Sequence, residues 1–478
     1  MPCGQVDRGR YMLFSSITFL YYFLPVTLTV YFLTPKKRKN LVLLFASLLF
    51  YGWGEPKYVA IMLLSIAVQY AFGLIIEKHR HETQAKAWLA ASVAFSLGLL
   101  GYFKYMDFFI ANFNAVTGLS VPLLRISLPI GISFYTFQIL SYTIDVYRGD
   151  VKAQRSLVKL ATYIALFPQL IAGPIVRYAD VAAALESRTH SVRRMRLGLG
   201  RLMIGLSKKV LIANSLGELC ALFGETQNET VLFAWMYAAA FTLQIYFDFS
   251  GYSDMAIGLG RMLGFDYMEN FNYPLVSKSI TEFWRRWHIS LGSWFRDYLY
   301  IPLGGNRVTN RRWLFNIFAV WMLTGLWHGA AWNFVLWGLL FAVFLVLEKF
   351  WIGQRLAAAP GILSHAYVLI IVGVSFVLFD APSLTEAVRR LGLMAGAGGI
   401  PLTDTVSLYY LRSYAVTFLL AAIGSTPWPK HVAERLRTGR IGQRTLGLAE
   451  PVVAIVLLLA ITAYLVDSSF NPFLYFRF

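Results

Sequence analysis

Apolar residues run in long blocks separated by short basic or polar joints, and this pattern repeats from one end of the chain to the other. Blocks at 13–33, 41–53, 58–76, 88–103, 128–146, 198–216, 231–247, 313–327, 332–347, 365–379, 412–423 and 452–466 each predict a helix. Crossing hydrocarbon requires about 20 helical residues, because only a helix or a closed barrel satisfies its own backbone there. Several blocks are shorter, and such segments tilt, thin the bilayer or lie inside a bundle. The pattern therefore predicts an all-α polytopic membrane protein, a bundle of about 11–12 transmembrane helices.

Two stretches break the rule. Residues 157–176 are apolar but interrupted by Pro168 and by Gly173-Pro174, which a straight helix tolerates badly, so they predict a re-entrant hairpin. Residues 249–305 are too polar to cross lipid, yet rich in Trp, Tyr and Phe. They predict helices lying in the cytoplasmic half of the membrane. Residues 1–11 differ in character from the rest of the chain, and Met12-Leu13-Phe14-Ser15-Ser16 reads as a second start. They are expected to be a non-structural extension or a misassigned start, with 12–478 as a single integral membrane domain. Block 13–33 lacks a small-residue cleavage signature and is read as a retained span.

Charge then gives the bundle a direction. Lys and Arg cluster at 36–39, 78–86, 188–209, 278–312 and 430–444, while 218–230 carries Glu218, Glu225 and Glu229 with no Lys or Arg. Basic loops stay on the cytoplasmic side. Alternation through the blocks fits with an outer amino terminus, provided 157–176 and 249–305 enter and leave on one side. The composition agrees: of 478 residues 57% are hydrophobic and 14% charged, with a mean hydropathy of +0.56. The net charge of +18 is accounted for by cytoplasmic loops, so no nucleic-acid partner is expected. Cys3 and Cys220 do not make a disulfide framework. No internal repeat is visible, which weighs against a transporter built from duplicated halves. Asn228-Glu229-Thr230 matches a glycosylation sequon and is given no role.

Chemistry concentrates at two histidines forty positions apart. His328, in Trp327-His328-Gly329, joins two apolar blocks, and an ionisable group at membrane depth is a functional-site hypothesis by default. A neutral imidazole there can act as general base on an acceptor hydroxyl; the alternative is a core imidazole bonded to a backbone carbonyl. His288 closes Thr281-Glu282-Phe283-Trp284-Arg285-Arg286-Trp287-His288. A second histidine or a nearby amide can orient the acceptor or stabilise the developing oxyanion. Arg285, Arg286 and Arg296, set among Trp284, Trp287 and Trp294, suit a phosphate-bearing donor or, equally, lipid head groups beside interfacial aromatics. Asp248 and Asp254 are expected to pair with Arg285, Arg286 or Arg296, since unpaired charges are intolerable at low dielectric. His79, His81, His190, His365 and His431 are expected to be solvated, and no metal is called for.

Long phrases of the chain resemble the membrane-bound O-acyltransferase family, in particular its bacterial alginate O-acetyltransferase-like branch. They are Leu128-Pro129-Ile130-Gly131-Ile132-Ser133-Phe134-Tyr135, Asp145-Val146-Tyr147-Arg148-Gly149, Ile171-Ala172-Gly173-Pro174, the stretches 246–258, 279–307 and 323–338, and the ending Asn471-Pro472-Phe473-Leu474-Tyr475-Phe476-Arg477-Phe478. The resemblance runs from about Met12 to Phe478. It implies that His328 is the catalytic histidine and that the second histidine motif falls on His288. It also implies a bundle with a thinned centre and a tunnel, in which a cytosolic donor meets an acceptor on the opposite face.

The implied reaction moves acetyl from acetyl-coenzyme A, a substrate and not a permanently bound cofactor, across the bacterial inner membrane to O-acetylate an exopolysaccharide such as alginate. The implied partners are a periplasmic acetyltransferase and the exopolysaccharide synthesis machinery, besides membrane lipids. Alternatives are a D-alanyl or peptidoglycan acyltransferase of the same family, and, from another class, a polysaccharide or lipid transporter.

Overall fold

A computed structural model describes residues 12–225, 229–467 and 474. The extension 1–11, Asn228 of the sequon and most of the terminal phrase 471–478 lie outside the described residues. Among the described residues every element is helical, and each of the twelve apolar blocks falls on a helix. Among the described residues seven helices are long and apolar enough to cross a membrane: Pro56–Lys78, Thr83–Thr117, Val231–Met262, Trp332–Ala358, Gly361–Asp380, Thr405–Gly424 and Ala449–Asp467. The first block is a shorter apolar helix, Thr18–Leu33.

The described residues divide into two compact units, one from 12–202 with 252–268, the other from 203–251 with 269–474. In the first unit, helix Ile132–Arg148 is buried along most of its length. It starts where Gly131 takes φ +75°, a position at which a Cβ would stand 2.8 Å from the Leu170 carbonyl oxygen. Helices Pro56–Lys78 and Thr83–Leu100 are joined by side-chain amide and hydroxyl groups. Gln69 Nε2 donates to Ser96 Oγ at 2.7 Å, and Ser92 Oγ donates to Gln69 Oε1 at 2.6 Å. Such bonds hold helices together where lipid supplies no hydrophobic drive.

The stretch 157–176 forms two short helices, Leu157–Ala165 and Phe167–Leu170, parted at Leu166. The break is tolerated because protein surrounds it: residues 160–176 are buried, and Ser47 Oγ accepts the Phe167 amide at 3.1 Å.

In the second unit, the hairpin of Asn310–His328 and Trp332–Leu347 is closed by glycine. A Cβ on Gly325 would lie 2.2 Å from the Phe334 carbonyl oxygen, one on Gly338 2.2 Å from that of Trp321, and one on Gly329 2.1 Å from the Phe334 ring. Only hydrogen fits at these crossings, so the backbones approach closely.

Two expectations are corrected. The polar stretch 248–254 does not follow a span that ends near 247; helix Val231–Met262 continues unbroken through it. The stretch is tolerated because it is buried in protein and its two carboxylates are paired with cations. Nor do Asp248 and Asp254 pair with Arg285, Arg286 or Arg296. Asp248 meets Lys209 at 2.5 Å and accepts the Leu474 amide at 2.8 Å, both in the second unit. In the first unit, Asp254 meets Arg201 at 2.6 Å. These carboxylates are structural, paired with cations that precede them in the chain.

Candidate active site

His328 is the last residue of helix Asn310–His328 and is buried. Three aromatic rings stand edge-on to its imidazole: Trp327 and Trp337 at 5.0 Å between ring centres and Phe379 at 5.4 Å. Two of these come from neighbouring helices, Trp337 from Trp332–Leu347 and Phe379 from the end of Gly361–Asp380. Asn333 fixes that end, its Nδ2 donating to the carbonyls of Phe379 at 3.2 Å and Ala381 at 3.0 Å. Asp380, next along, accepts from Tyr237 Oη and from Arg390.

His288 lies between helices Ile280–Arg286 and Ile289–Phe295, with φ +45°. That left-handed conformation is costly for a residue with a Cβ, and such strain gathers where a side chain must be aimed. The same indole serves both histidines, since Trp327 is 5.9 Å from the His288 ring. Phe249 closes another side at 4.6 Å. Residues forty apart in sequence thus converge on one tryptophan.

The state of His288 follows from Asn270, fully buried beside it. Asn270 Oδ1 accepts the Ser290 amide at 3.1 Å and the Ser290 hydroxyl at 2.9 Å. A backbone N–H only donates, so that atom is the amide oxygen. His288 Nδ1, 3.2 Å from the same oxygen, must therefore carry its proton. The neutral ring then has its lone pair on Nε2. Burial pushes the imidazole pKa down to about 3, which keeps the ring neutral across the physiological range.

The arginines divide. Arg286 is held by Glu282 at 2.9 Å and Arg296 by Asp297 at 2.5 Å. Arg285 is exposed and lines a cavity. The tryptophans nearby are not a lipid-facing belt: Trp287 and Trp294 are buried, and Trp284 packs 4.6 Å from Trp321 and 4.8 Å from Phe341. Some outlying histidines are bonded where solvation was expected. His190 Nε2 lies 2.9 Å from Tyr31 Oη, His365 Nδ1 3.2 Å from the Ser277 carbonyl, and His79 Nδ1 2.9 Å from Glu82. Sequence reasoning passed over Asn270, Asn333 and Trp337. The signal for Asn270 was an amide set among aromatic residues just ahead of the arginine-rich stretch, in Glu269-Asn270-Phe271-Asn272-Tyr273.

Residues 96–385 match the membrane-bound O-acyltransferase family. The chain belongs to that family, and it is a multi-pass membrane acyltransferase. It is similar to the probable alginate O-acetylase of Azotobacter vinelandii, 41% identical over 98% of this chain and 100% of the relative. It is also similar to the probable alginate O-acetylase of Pseudomonas putida, 39% identical over 98% of this chain and 100% of the relative. The peptidoglycan O-acetyltransferase of Helicobacter pylori is 34% identical over 87% of this chain and 84% of the relative.

Proposed function

We propose that this acyltransferase moves acetyl groups from acetyl-coenzyme A, on the cytosolic side of the bacterial inner membrane, for O-acetylation of an exopolysaccharide such as alginate. The observation that carries the reading is the convergence of His328 and His288 on Trp327 in a dry aromatic setting. Likeness to two alginate O-acetylases along nearly the whole chain supports the acetyl group and the polymer. A periplasmic acetyltransferase completes the transfer to sugar hydroxyls, working with the exopolysaccharide synthesis machinery. The described residues act as one membrane domain.

In this reading His328 is the general base. It takes the proton of an acceptor hydroxyl as that oxygen attacks the thioester carbonyl. The carbon–sulfur bond breaks, the thiolate leaves, and the proton held by the imidazole passes to it, giving an acetyl ester and a free thiol. Water is excluded by Trp327, Trp337 and Phe379, which strengthens each electrostatic contact in the transition state.

His288 has a narrower part. With Nδ1–H bound to Asn270, Nε2 offers a lone pair and no proton. It suits His288 to accept a hydrogen bond and orient the acceptor, not to donate to an oxyanion.

The test uses purified protein with acetyl-coenzyme A labelled in the acetyl group, with and without the periplasmic partner. Label appearing on partner or polymer supports the reading. Absence of transfer in both arms, with transfer from another acyl donor, would replace acetyl-coenzyme A.

A further inference from the structure

A cavity of about 790 Å³ lies in the second unit, and its lining includes Lys278, Arg285, Lys349, Trp313, Leu345 and Leu356. Neither His288 nor His328 lines it, and Trp313 and His328 are fifteen residues apart on one helix, about 22 Å by helical rise. It is a separate site.

Three observations define what it would hold. First, its charge is positive and largely uncommitted. Among the described residues neither the Lys278 ammonium nor the Arg285 guanidinium is paired with a carboxylate, although the Lys278 backbone amide donates to Glu282 at 2.9 Å. Glu348 also lines the cavity and leaves three cations against one anion there; its carboxylate is turned to neutral donors, accepting the Ile280 amide at 2.5 Å, the Thr281 amide at 2.9 Å and the Thr281 hydroxyl at 2.6 Å. Lys349 stands over the Trp313 ring, 3.4 Å from its centre, with its ammonium held at the wall.

Second, the cavity takes in the turn between two spans, Trp332–Ala358 and Gly361–Asp380, through Ala359 and Gly361. A turn joining two spans lies at a membrane surface, here on the side of the basic cluster 278–312. Third, the residues beside that turn are apolar and exposed: Trp351 is 64% exposed, Ile362 77% and Leu363 60%. Such a rim faces acyl chains, and a soluble nucleotide would have no use for it.

We propose that this cavity binds the phosphate head group of an anionic membrane phospholipid, with its acyl chains leaving past Trp351 and Leu363. Lys278 and Arg285 contact the phosphate, and Lys349 closes the site from the Trp313 side. The head group thereby pins the ends of the two spans next to helix Ile280–Arg286, and Arg285 serves lipid in place of the acyl donor.

The experiment reads binding alone, so its failure is distinct from failure of the acetyl-transfer reading. Detergent-purified full-length protein is titrated with dihexanoyl phosphatidylglycerol, dihexanoyl phosphatidylcholine and adenosine 3′,5′-bisphosphate, and binding is followed by native mass spectrometry. Phosphatidylglycerol is expected to bind preferentially. Each of K278Q and R285Q should weaken it about fivefold and the pair about 25-fold, on about 1 kcal/mol for each cation. The charge-conserving K278R should retain binding, and the melting temperature without lipid shows whether each variant folds. Equal binding of the two lipids, undiminished binding in the double variant, or displacement of phosphatidylglycerol by the bisphosphate would overturn the proposal.

Discussion

At the scale of single residues, the site turns on which nitrogen of His288 holds a proton. Asn270 decides it, because its oxygen is already identified by the Ser290 amide. Replacing Asn270 by Asp puts an anion beside Nδ1, which favours the imidazolium and raises the pKa. The N270D variant is expected to lose activity as pH falls below neutrality, while the wild type shows no limb from His288 there. A pH–rate profile checks this; identical profiles would show that Nε2 takes no part. The same burial has a stability consequence. The folded-state pKa of about 3 is below the ordinary value of 6.5, so the unfolded chain binds more protons between them. His288 therefore contributes stability that is fully present above about 6.5 and is lost as pH falls toward 3.

His328 was legible in the sequence because an ionisable residue between apolar blocks stands out by its cost, and His288 because it closes a run of arginine and tryptophan. Asn270 and Asn333 were not, since an amide gives no periodic signal and its value depends on which carbonyls and imidazoles fold around it. The partners of Asp248 and Asp254 were missed for a related reason. Spacing shows that a buried carboxylate needs a cation, but which cation is a matter of how helices cross, and the nearby arginines were the wrong choice.

Elements bring their own tests. Helices Asn310–His328 and Trp332–Leu347 can approach only through hydrogen-bearing positions, and Gly329 directly follows His328. A methyl group there meets the Phe334 ring, and overpacking of this kind costs about 1–3 kcal/mol. G329A is expected to lower the melting temperature and activity together, and adding F334L should restore much of both. Activity lost with an unchanged melting temperature would point instead to a direct role for the backbone at Gly329. The buried pair Asp248–Lys209 makes the opposite kind of claim. D248N leaves an ammonium uncompensated and should destabilise by about 3–5 kcal/mol, whereas D248L with K209M should recover much of it. Chemical denaturation in detergent measures both, and failure of the double variant to recover would give the pair a role beyond neutralising charge. Helix positions were readable because a span must be about 20 apolar residues. Continuation of helix Val231–Met262 through its polar half was not, because packing and pairing override composition there.

For the whole molecule, the distribution of Lys and Arg orients the chain. Lys37 is exposed in a basic cluster, and Glu225 is exposed in the loop with no Lys or Arg. With the native cysteines removed, K37C should label with a membrane-impermeant thiol reagent only after the inner membrane is permeabilised, and E225C without permeabilisation. The reverse pattern would invert the path from donor to acceptor.

The central claim is that His328 moves the proton in acyl transfer. Its most direct test is the acetyl content of polymer made by cells carrying H328A, set against wild type at equal membrane protein levels. General-base removal is expected to reduce transfer by about 10²–10⁴-fold, with H288A losing as much or less. Acetylation within about twofold of wild type in H328A would contradict the account, because at that level the imidazole could not be the base.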